Sequence, residues 1–341
     1  MVRWCVIGAG GIADRRAIPA LLKDKENVLV AIMERVPALA KELGEKYGVP
    51  YFTDEREMLR SVKADAVYIG TPVAKHKRQA EIALEYGLHV FVEKPMAMNY
   101  TESAELLEKF KSAGKMLTVG YMMKYHDLHV RAKKLIDEGK IGRVSDIRLQ
   151  LGCWYPDIEG AWRQDRSLSG GGAFMDLGVH CLDTAQYLLS DKINGVKAFL
   201  SDSTFNYEVE DGAVVIFRTR GGTIGHIDVN FNIPDAACQS KVEIYGTAGY
   251  IILEGTLSQV ESGRMLHLYT PQGEYDASQD RSISEPQSYY PEGEDIYLRQ
   301  IRDFNRMINS GDLDYTYTED AVLVQKLVDD VYSDSHSAKD L

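Results

Sequence analysis

The sequence predicts an α/β protein, in which a parallel sheet with helices on both faces is followed by a mostly antiparallel sheet. Up to about residue 120, short apolar runs alternate with amphipathic stretches, which is typical of doubly wound sheets. The first apolar run leads directly into a glycine-rich turn and a helix-like segment. From Arg143 onward, several runs alternate apolar and polar residues, which indicates antiparallel strands with only one face in the core.

The first part of the chain predicts strands that are nearly continuous apolar runs, because parallel strands are covered on both faces. These strands are Arg3–Ile7, Val28–Met33, Ala66–Ile69, His89–Val92 and Met116–Val119. The predicted helices between them are Gly11–Leu22, Pro37–Tyr47, Glu55–Ser61, His76–Tyr86 and Thr101–Ala113. Gly87 and Gly114 stand where helices commonly end, and Thr101 is expected to cap the fifth helix.

The pattern changes after Gly120. Helices are predicted at Asp127–Glu138, Ala173–Leu189, Asp295–Asn309 and Glu319–Tyr332. The predicted strands are Val144–Leu151, Val196–Ser201, Ala213–Arg218, Thr223–Asn230, Lys241–Tyr245 and Tyr250–Glu254. Residues Thr270–Glu294 are rich in Gln, Ser and Glu and predict a long excursion. Tyrosines in and near it, such as Tyr275, are assigned by default to core or interface packing.

Composition excludes several classes of protein. A length of 341 residues fits about two domains. The formal net charge of −12 disfavours sequence-independent binding to nucleic acid or anionic membrane. The longest apolar runs are too short to span a bilayer, and the N-terminus lacks the features of a signal peptide. The cysteines are scattered without metal-type spacing, so we expect reduced thiols in a cytoplasmic protein and no metal site. These cysteines are Cys5, Cys153, Cys181 and Cys238.

The glycine-rich turn predicts a dinucleotide site. Gly8-Ala9-Gly10-Gly11-Ile12-Ala13 fits the pattern G-x-G-x-x-G/A. Gly8 permits a tight turn, Gly10 lets the backbone approach a pyrophosphate, and Ala13 allows close packing of helix on strand. The helix that follows directs its N–H groups at the phosphates. The alternative is a turn that serves packing alone.

The second strand ends at Glu34, which is 21 positions beyond Ala13. A carboxylate at this distance is expected to hold the ribose hydroxyls of NAD and to repel the 2′-phosphate of NADP. Arg35 keeps the alternative open, because its guanidinium could stack on adenine or meet that phosphate. We therefore expect NAD(H) as the preferred cofactor, with NADP(H) as the alternative.

Two further groups of residues could carry chemistry. Lys94 follows the fourth strand, where ligands of parallel sheets bind, although a lysine at a strand end can also simply reach solvent. Asp176 and His180 are four residues apart on a predicted helix that follows three glycines. A carboxylate one turn from an imidazole can orient it as a general base, or the pair can serve helix capping and core packing.

Several short segments stand in a fixed order along the chain. They are Gly8–Ala13, Gly70-Thr71-Pro72 with His76, Glu93-Lys94-Pro95, Gly139–Arg143, Trp162-Arg163, Gly170–Gly172 and Asp176-x-Gly178-x-His180-x-x-Asp183. Taken in order, these motifs resemble the glucose–fructose oxidoreductase/inositol dehydrogenase/rhizopine-catabolism (Gfo/Idh/MocA) family of NAD(P)-dependent oxidoreductases. The layout is similar to the anhydrofructose reductase branch, although Lys124-Tyr125 departs from the Arg-Phe of many members.

The resemblance implies a Rossmann domain at 1–122, which binds the dinucleotide, and an α/β domain with a large open sheet at 123–341. The second domain would bind substrate and form a homodimer or homotetramer through its sheet. The implied reaction moves a hydride between nicotinamide and a hydroxyl-bearing carbon of a sugar, anhydrosugar or inositol. Two alternatives on this fold are an NAD-dependent glycosidase with transient redox chemistry and a regulator that senses NAD(P) without turnover.

The resemblance also implies roles for individual residues. Lys94 would bind the reacting oxygen, His180 would act as general acid and base, and Asp176 would bind a substrate hydroxyl. The cofactor would be held by the glycine turn (Gly8, Gly10, Gly11, Ile12 and Ala13) and by Glu34, Arg35, Thr71, Pro72, His76, Glu93 and Lys94. Beside the catalytic residues, the substrate would be held by Tyr155, Trp162 and Arg163.

Overall fold

The computed structural model describes residues 1–271, 273, 277 and 284–338. They fall into two compact units, each built from separate stretches of chain. The first unit contains Met1–Tyr121, Asp165–Gly170 and Tyr297–Lys326. The second contains Met122–Gln164, Gly171–Ile296 and the chain from Leu327 onward. The first break lies beside the boundary expected at 122/123, while the two later segments of the first unit come from the part of the chain assigned to the other domain.

The first unit holds a six-stranded sheet in the order β3-β2-β1-β4-β5-β6. All its strand pairs are parallel, as predicted. The order reverses at β1 and β4, and ligands of such sheets bind beyond the carboxyl ends of the strands at this point. The strands are β1 (Val2–Ile7), β2 (Asn27–Met33), β3 (Tyr51–Phe52), β4 (Ala66–Ile69), β5 (His89–Val92) and β6 (Leu117–Val119).

The described residues form ten α-helices. They are α1 (Ile18–Lys23), α2 (Pro37–Tyr47), α3 (Glu55–Ser61), α4 (His76–Glu85), α5 (Tyr100–Ser112), α6 (Asp127–Asp137), α7 (Arg166–Ser169), α8 (Val179–Leu189), α9 (Ile296–Ser310) and α10 (Thr316–Ala338). One π-helical turn precedes α1 (Ala13–Ala17) and another precedes α8 (Phe174–Gly178). None of the helices in the described part of the chain is long and apolar enough to cross a membrane.

Helix α9 belongs to the first unit because it completes the core of the parallel sheet. The buried Phe304 ring packs on Trp4 and Phe91, with ring centroids 5.1 and 5.8 Å away. Asn27 Oδ1 accepts hydrogen bonds from the Trp4 indole at 3.0 Å and from the Asn305 amide at 2.7 Å. Short α7 packs on the turn formed by Val73–Lys75, so its segment also belongs to this unit.

The second unit holds an eight-stranded sheet in the order β14-β13-β12-β11-β7-β10-β9-β8. Among the strands that the structure describes here, only β7 and β10 pair in parallel, so the prediction of a mostly antiparallel sheet is confirmed. One face packs on α8, while the other exposes apolar and charged side chains. The strands are β7 (Val144–Gly152), β8 (Ile193–Ser201), β9 (Gly212–Thr219), β10 (Ile224–Asn230), β11 (Lys241–Gly246), β12 (Gly249–Glu254), β13 (Arg264–Tyr269) and β14 (Gln287–Tyr289).

Several local predictions need correction. The cap of α5 is Asn99, whose side chain accepts from the Glu102 N–H at 2.9 Å, and not Thr101. Strand β3 was not predicted, because two residues carry no periodic signal. Strand β14 lies within the excursion expected at Thr270–Glu294. Residues 272, 274–276 and 278–283 of that excursion, which include Tyr275, lie outside the described residues.

Candidate active site

The glycine turn adopts a conformation that larger residues would disturb. Gly8 has φ +76°, and a Cβ atom there would lie 2.6 Å from the Thr71 methyl carbon. Gly8 follows β1 and Thr71 follows β4, so this contact spans the point at which the strand order reverses. Gly11 has φ +57° with no neighbouring atom within 4 Å of an added Cβ. The turn therefore has the shape that a dinucleotide-binding loop requires.

Glu34 lies directly against this turn. Its Oε2 accepts a hydrogen bond from the Gly10 N–H at 3.3 Å, and an added Cβ at Gly10 would come 3.3 Å from the same oxygen. The Glu34 side chain is half-buried, whereas Arg35 is exposed. An acidic group beside the glycine turn, at the end of the second strand, fits the ribose of NAD. The residues present thus fit this cofactor.

The arginines after the turn differ in environment. Arg15 is exposed and Arg16 is half-buried. Asp14 accepts hydrogen bonds from Lys46 at 2.6 Å and from the Tyr47 hydroxyl at 2.5 Å, so it ties this helix to α2. Ile12 and Ala13 begin the helical segment, and Ala13 is fully buried.

His76 lies buried between two backbone carbonyls of the first unit. Its Nε2 is 2.8 Å from the Thr71 oxygen, and its Nδ1 is 2.9 Å from the Pro95 oxygen. Burial is the main cause that lowers the His76 pKa. The ring therefore joins the loop after β4, which contains Pro72, to the loop after β5, which contains Lys94. Both ring nitrogens face protein carbonyls, which is the geometry of a residue that positions these loops.

Glu93 and Lys94 follow β5. The buried Glu93 carboxylate accepts hydrogen bonds from the Tyr68 hydroxyl at 2.5 Å and from the Lys94 N–H at 3.3 Å. Gly120 is needed beside it, since an added Cβ would lie 3.1 Å from the Glu93 carboxylate. Lys94 itself is half-buried. The network fixes the backbone that carries Lys94 at the carboxyl end of the sheet.

In the second unit, Gly171 and Gly172 leave room for the buried Glu210 and its partner Tyr332. Glu210 Oε1 accepts hydrogen bonds from the Gly172 N–H at 2.9 Å, the Phe174 N–H at 3.0 Å and the Tyr332 hydroxyl at 2.8 Å. Side chains at Gly171 and Gly172 would clash with Tyr332 and with the Glu210 backbone respectively. Burial raises the pKa of Glu210. Glu210 thus holds the start of the helical segment that carries Asp176, and sequence reasoning missed it.

Asp176 lies on the π-helical turn and forms an ion pair with Arg163, with 3.3 Å between Oδ1 and Nε. The Arg163 guanidinium stacks over the Trp162 ring at 4.4 Å and hydrogen-bonds to Tyr155. Burial alone would lower the Arg163 pKa, but Asp176 and Tyr155 raise it above its usual value. Within this unit, the structure thus brings together all four of these predicted residues.

His180 stands in the first turn of α8 and is 5% exposed. Asp176 lies in the π-helical turn Phe174–Gly178, whereas His180 lies in α8. The two residues therefore do not keep the regular α-helical spacing that the sequence predicts. Asp183, one turn further on, forms a buried ion pair with Lys124 at 2.9 Å. This pair joins α8 to the Met122–Tyr125 turn and explains the lysine that departs from the family pattern.

Comparison with known proteins agrees with this architecture. Residues 2–121 match the family described as an oxidoreductase family with an NAD-binding Rossmann fold, and residues 129–252 match the GFO/IDH/MocA C-terminal domain. The chain is 30% identical over 267 residues to 1,5-anhydro-D-fructose reductase of Ensifer adhaerens, which covers 77% of this chain and 79% of the relative.

Two further similarities extend this result. The chain is 28% identical over 261 residues to scyllo-inositol 2-dehydrogenase (NAD(+)) of Bacillus subtilis (strain 168), which covers 75% of this chain and 74% of the relative. A crystal structure of aldose-aldose oxidoreductase from Caulobacter crescentus, complexed with glycerol, has a TM-score of 0.87 at 23% identity. It covers 99% of this chain and 98% of its own and shows the same fold.

The predicted family, fold class and oxidoreductase class are therefore confirmed, and the comparisons give no support to the glycosidase or the regulator. The chain belongs to the GFO/IDH/MocA family of oxidoreductases.

Proposed function

We propose that this protein transfers a hydride between NAD and a carbon bearing a secondary hydroxyl in a sugar, anhydrosugar or inositol. The observation that carries the cofactor choice is the Glu34 carboxylate, which accepts a hydrogen bond from the Gly10 N–H within the dinucleotide turn. The substrate class is supported by the relatives, which act on an anhydrosugar and an inositol. A bound nicotinamide supplies the atom that accepts or gives the hydride, C4 of its ring.

In the oxidative direction, we assign the hydroxyl proton to His180 as general base. Lys94 binds the reacting oxygen and assists the proton transfer, and the ketone forms as the carbon gives up its hydride. Burial of His180 excludes water from the proton acceptor. General acid–base assistance of this kind contributes roughly 10²–10⁴-fold to a rate.

Asp176 is assigned to a substrate hydroxyl. Its ion pair with Arg163 fixes the orientation of the carboxylate, which can accept hydrogen bonds from sugar hydroxyls. Trp162 and Tyr155 hold the guanidinium in place. Arginine is suited to this task because its planar fork bonds a carboxylate and stacks on an aromatic ring at the same time.

In the first unit, Thr71 and Pro72 are assigned to the nicotinamide side, and Glu93 to the nicotinamide ribose. His76 is assigned a different role from the one the family resemblance suggests. Both of its nitrogens face backbone carbonyls, so we propose that it positions the loops of Thr71 and Lys94. Arg35 is assigned to the adenine face, consistent with its exposure beside Glu34.

For assembly, we propose a homodimer or homotetramer formed through the outer face of the eight-stranded sheet. Four apolar side chains on neighbouring strands are at least half exposed on that face, and exposed apolar patches of this kind mark interaction surfaces. They are Phe199 at 77%, Ile216 at 57%, Ile224 at 53% and Val214 at 50%.

The test is a panel of monosaccharides, anhydrosugars and inositols, each offered with NAD and with NADP while nicotinamide absorbance is followed. We expect oxidation of a ring hydroxyl in at least one of these compounds, with kcat/KM higher for NAD than for NADP. A strong preference for NADP would contradict the role given to Glu34. Release of a sugar from a glycoside without net NADH formation would favour the glycosidase instead.

A further inference from the structure

Beside the Arg163–Asp176 pair, the second unit presents three aromatic rings in mutual contact. We call Trp154, Phe205 and Tyr207 the aromatic platform. Trp154 and Phe205 meet edge to face with centroids 5.3 Å apart, and Phe205 and Tyr207 stack at 5.4 Å with an angle of 28° between the rings. Trp154 is 44% exposed, and the other two rings are half-buried.

The platform is continuous with the residues assigned to the substrate. The Tyr207 hydroxyl donates to the Tyr155 carbonyl oxygen at 3.2 Å. The Tyr155 side chain in turn hydrogen-bonds to Arg163, the partner of Asp176. A molecule bound at Asp176 and longer than one sugar ring would therefore have the platform as its neighbour.

The platform is held in place by hydrogen bonds from its own loops. The buried Asp211 accepts from the Thr204 N–H at 2.7 Å and from the Phe205 N–H at 3.1 Å. The Trp154 N–H donates to the Asp235 carboxylate at 2.8 Å. Since both loops are fixed before any ligand arrives, little conformational entropy is lost when a ring stacks on them.

Two exposed carboxylates are bonded to the loops that carry the platform. Asp157 accepts from the Asn206 N–H at 3.3 Å, and Asp235 accepts from the Trp154 N–H at 2.8 Å. Carboxylates accept hydrogen bonds from hydroxyl groups but repel phosphates and uronates. A ligand with apolar C–H faces and many hydroxyls, and without negative charge, fits both the rings and these carboxylates.

We propose that the aromatic platform is a second sugar subsite. The substrate is then a neutral glycoside or oligosaccharide, whose reacting ring lies at Asp176 and His180 and whose next sugar unit stacks on Trp154. This inference rests on the proposed function. It adds that the physiological substrate is larger than a monosaccharide and that the sugar residue next to the reacting ring carries no charge.

The test compares kcat/KM for matched substrates. Methyl α- and β-glycosides of glucose, galactose, mannose and xylose are each compared with the disaccharide that has the same terminal unit and linkage. The wild-type protein is expected to prefer at least one disaccharide about tenfold or more over its methyl glycoside, which corresponds to about 1.4 kcal/mol. The preference should lie in KM, because stacking remote from the reacting carbon does not alter the chemical step.

The variants separate the subsite from the reaction. Trp154→Ala is expected to remove the preference for the disaccharide and to leave kcat/KM for the methyl glycoside within about twofold. Trp154→Phe should retain most of the preference for the disaccharide, because an aromatic ring face remains. Tyr51→Ala is the matched control, since Tyr51 is also 44% exposed but belongs to the first unit.

Each other outcome identifies what failed. NADH formation with methyl glycosides but no gain from any disaccharide would overturn the subsite and leave the proposed function standing. An equal loss of kcat/KM on the methyl glycoside and the disaccharide in Trp154→Ala would also overturn the subsite. So would a fall in the molecular mass of that variant, because it would assign the platform to contacts between copies of the chain. Absence of NADH formation with every sugar would overturn both proposals.

Discussion

Arg163 Nε lies 3.3 Å from Asp176 Oδ1, and the same guanidinium stacks over Trp162. The two residues are 13 positions apart, and each was predicted to contact the substrate. Their contact indicates that Arg163, in the short 3₁₀ helix Trp162–Gln164, orients the Asp176 carboxylate on the π-helical turn.

Replacing Arg163 with Met should therefore raise KM for the sugar by about tenfold to a hundredfold, because a charge-assisted hydrogen bond is worth about 1.5–3 kcal/mol. Arg163→Lys should recover only part of this, since lysine cannot stack and bond in a planar fork. Steady-state kinetics at saturating NAD checks both variants. A normal KM in Arg163→Met would show that Asp176 needs no partner.

We propose that Glu34 sets the choice between NAD and NADP. Glu34→Ser removes the carboxylate beside the Gly10 N–H and should lower kcat/KM with NAD while raising it with NADP, so that the NAD/NADP ratio falls at least about tenfold. The control is Glu42→Ser, which removes an exposed carboxylate from α2 and should leave the ratio unchanged. An unchanged ratio in Glu34→Ser would exclude Glu34 from cofactor choice.

Gly172 is required because the Glu210 backbone passes where its Cβ would be. Gly172→Ala should destabilise the protein by about 3 kcal/mol or more, since backbone atoms cannot yield as a flexible side chain can. Gly195→Ala is the matched control, because an added Cβ there meets nothing within 4 Å. Denaturant unfolding compares the two, and equal stability would contradict the packing described around Glu210.

Acid should destabilise the second unit through His129. Burial, reinforced by His126 at 5.1 Å between ring centroids, lowers the His129 pKa to about 3. Below pH of about 6.5 the unfolded chain binds a proton that the folded protein does not. The free energy of unfolding should then fall by about 1.4 kcal/mol per pH unit from this group between its unfolded and folded pKa values.

Unfolding measured between pH 7 and 4 checks this sign. The variant His129→Gln keeps a polar group near Thr256, whose hydroxyl lies 2.9 Å from His129 Nε2, but it cannot titrate. Its stability should depend less steeply on pH than that of the wild type. Parallel curves would mean that His129 titrates alike in the folded and unfolded states.

If copies of the chain assemble through the open face of the eight-stranded sheet, a charge placed on that face should lower the molecular mass of the assembly in solution. Val214→Glu places a charge on the exposed apolar face and should lower the molecular mass measured by light scattering, because burying an unpaired charge at an interface is costly. Val130→Glu on α6 is the control, with 45% exposure against 50% for Val214. An unchanged mass in Val214→Glu would remove this face from the assembly.

Much of the fold could be predicted from the sequence because its signals are local. Strands β4 and β5 and helices α2 and α3 have the predicted bounds, since apolar runs and flanking turn residues define them. The π-helical turns could not be predicted, because hydrophobic periodicity does not report which carbonyl a given N–H bonds. Ala13–Ala17 and Phe174–Gly178 both appeared as ordinary helix in the sequence.

Those parts of the candidate site that consist of a local motif could be predicted from the sequence. Those parts that depend on contacts between residues far apart in the chain could not. The glycine turn and Glu34 have recognisable spacing. Glu210 acts through bonds to residues 36 and 38 positions away, and Lys124 pairs with Asp183 across 59 positions. Helix α9 completes the core of the first sheet from nearly 300 residues downstream of Trp4. Such pairings follow from tertiary packing, so no characteristic residue spacing in the sequence reveals them.

We propose that Lys94 and His180 carry the proton transfer that accompanies hydride transfer. The most direct test is kcat of Lys94→Ala and His180→Ala on the sugar that the panel identifies, with NAD binding measured in parallel. Each variant should lose at least about a hundredfold in kcat and bind NAD with little change, while Lys75→Ala, which removes an exposed lysine, should keep its kcat. Near-normal kcat in either Lys94→Ala or His180→Ala would show that the replaced side chain does not carry the proton.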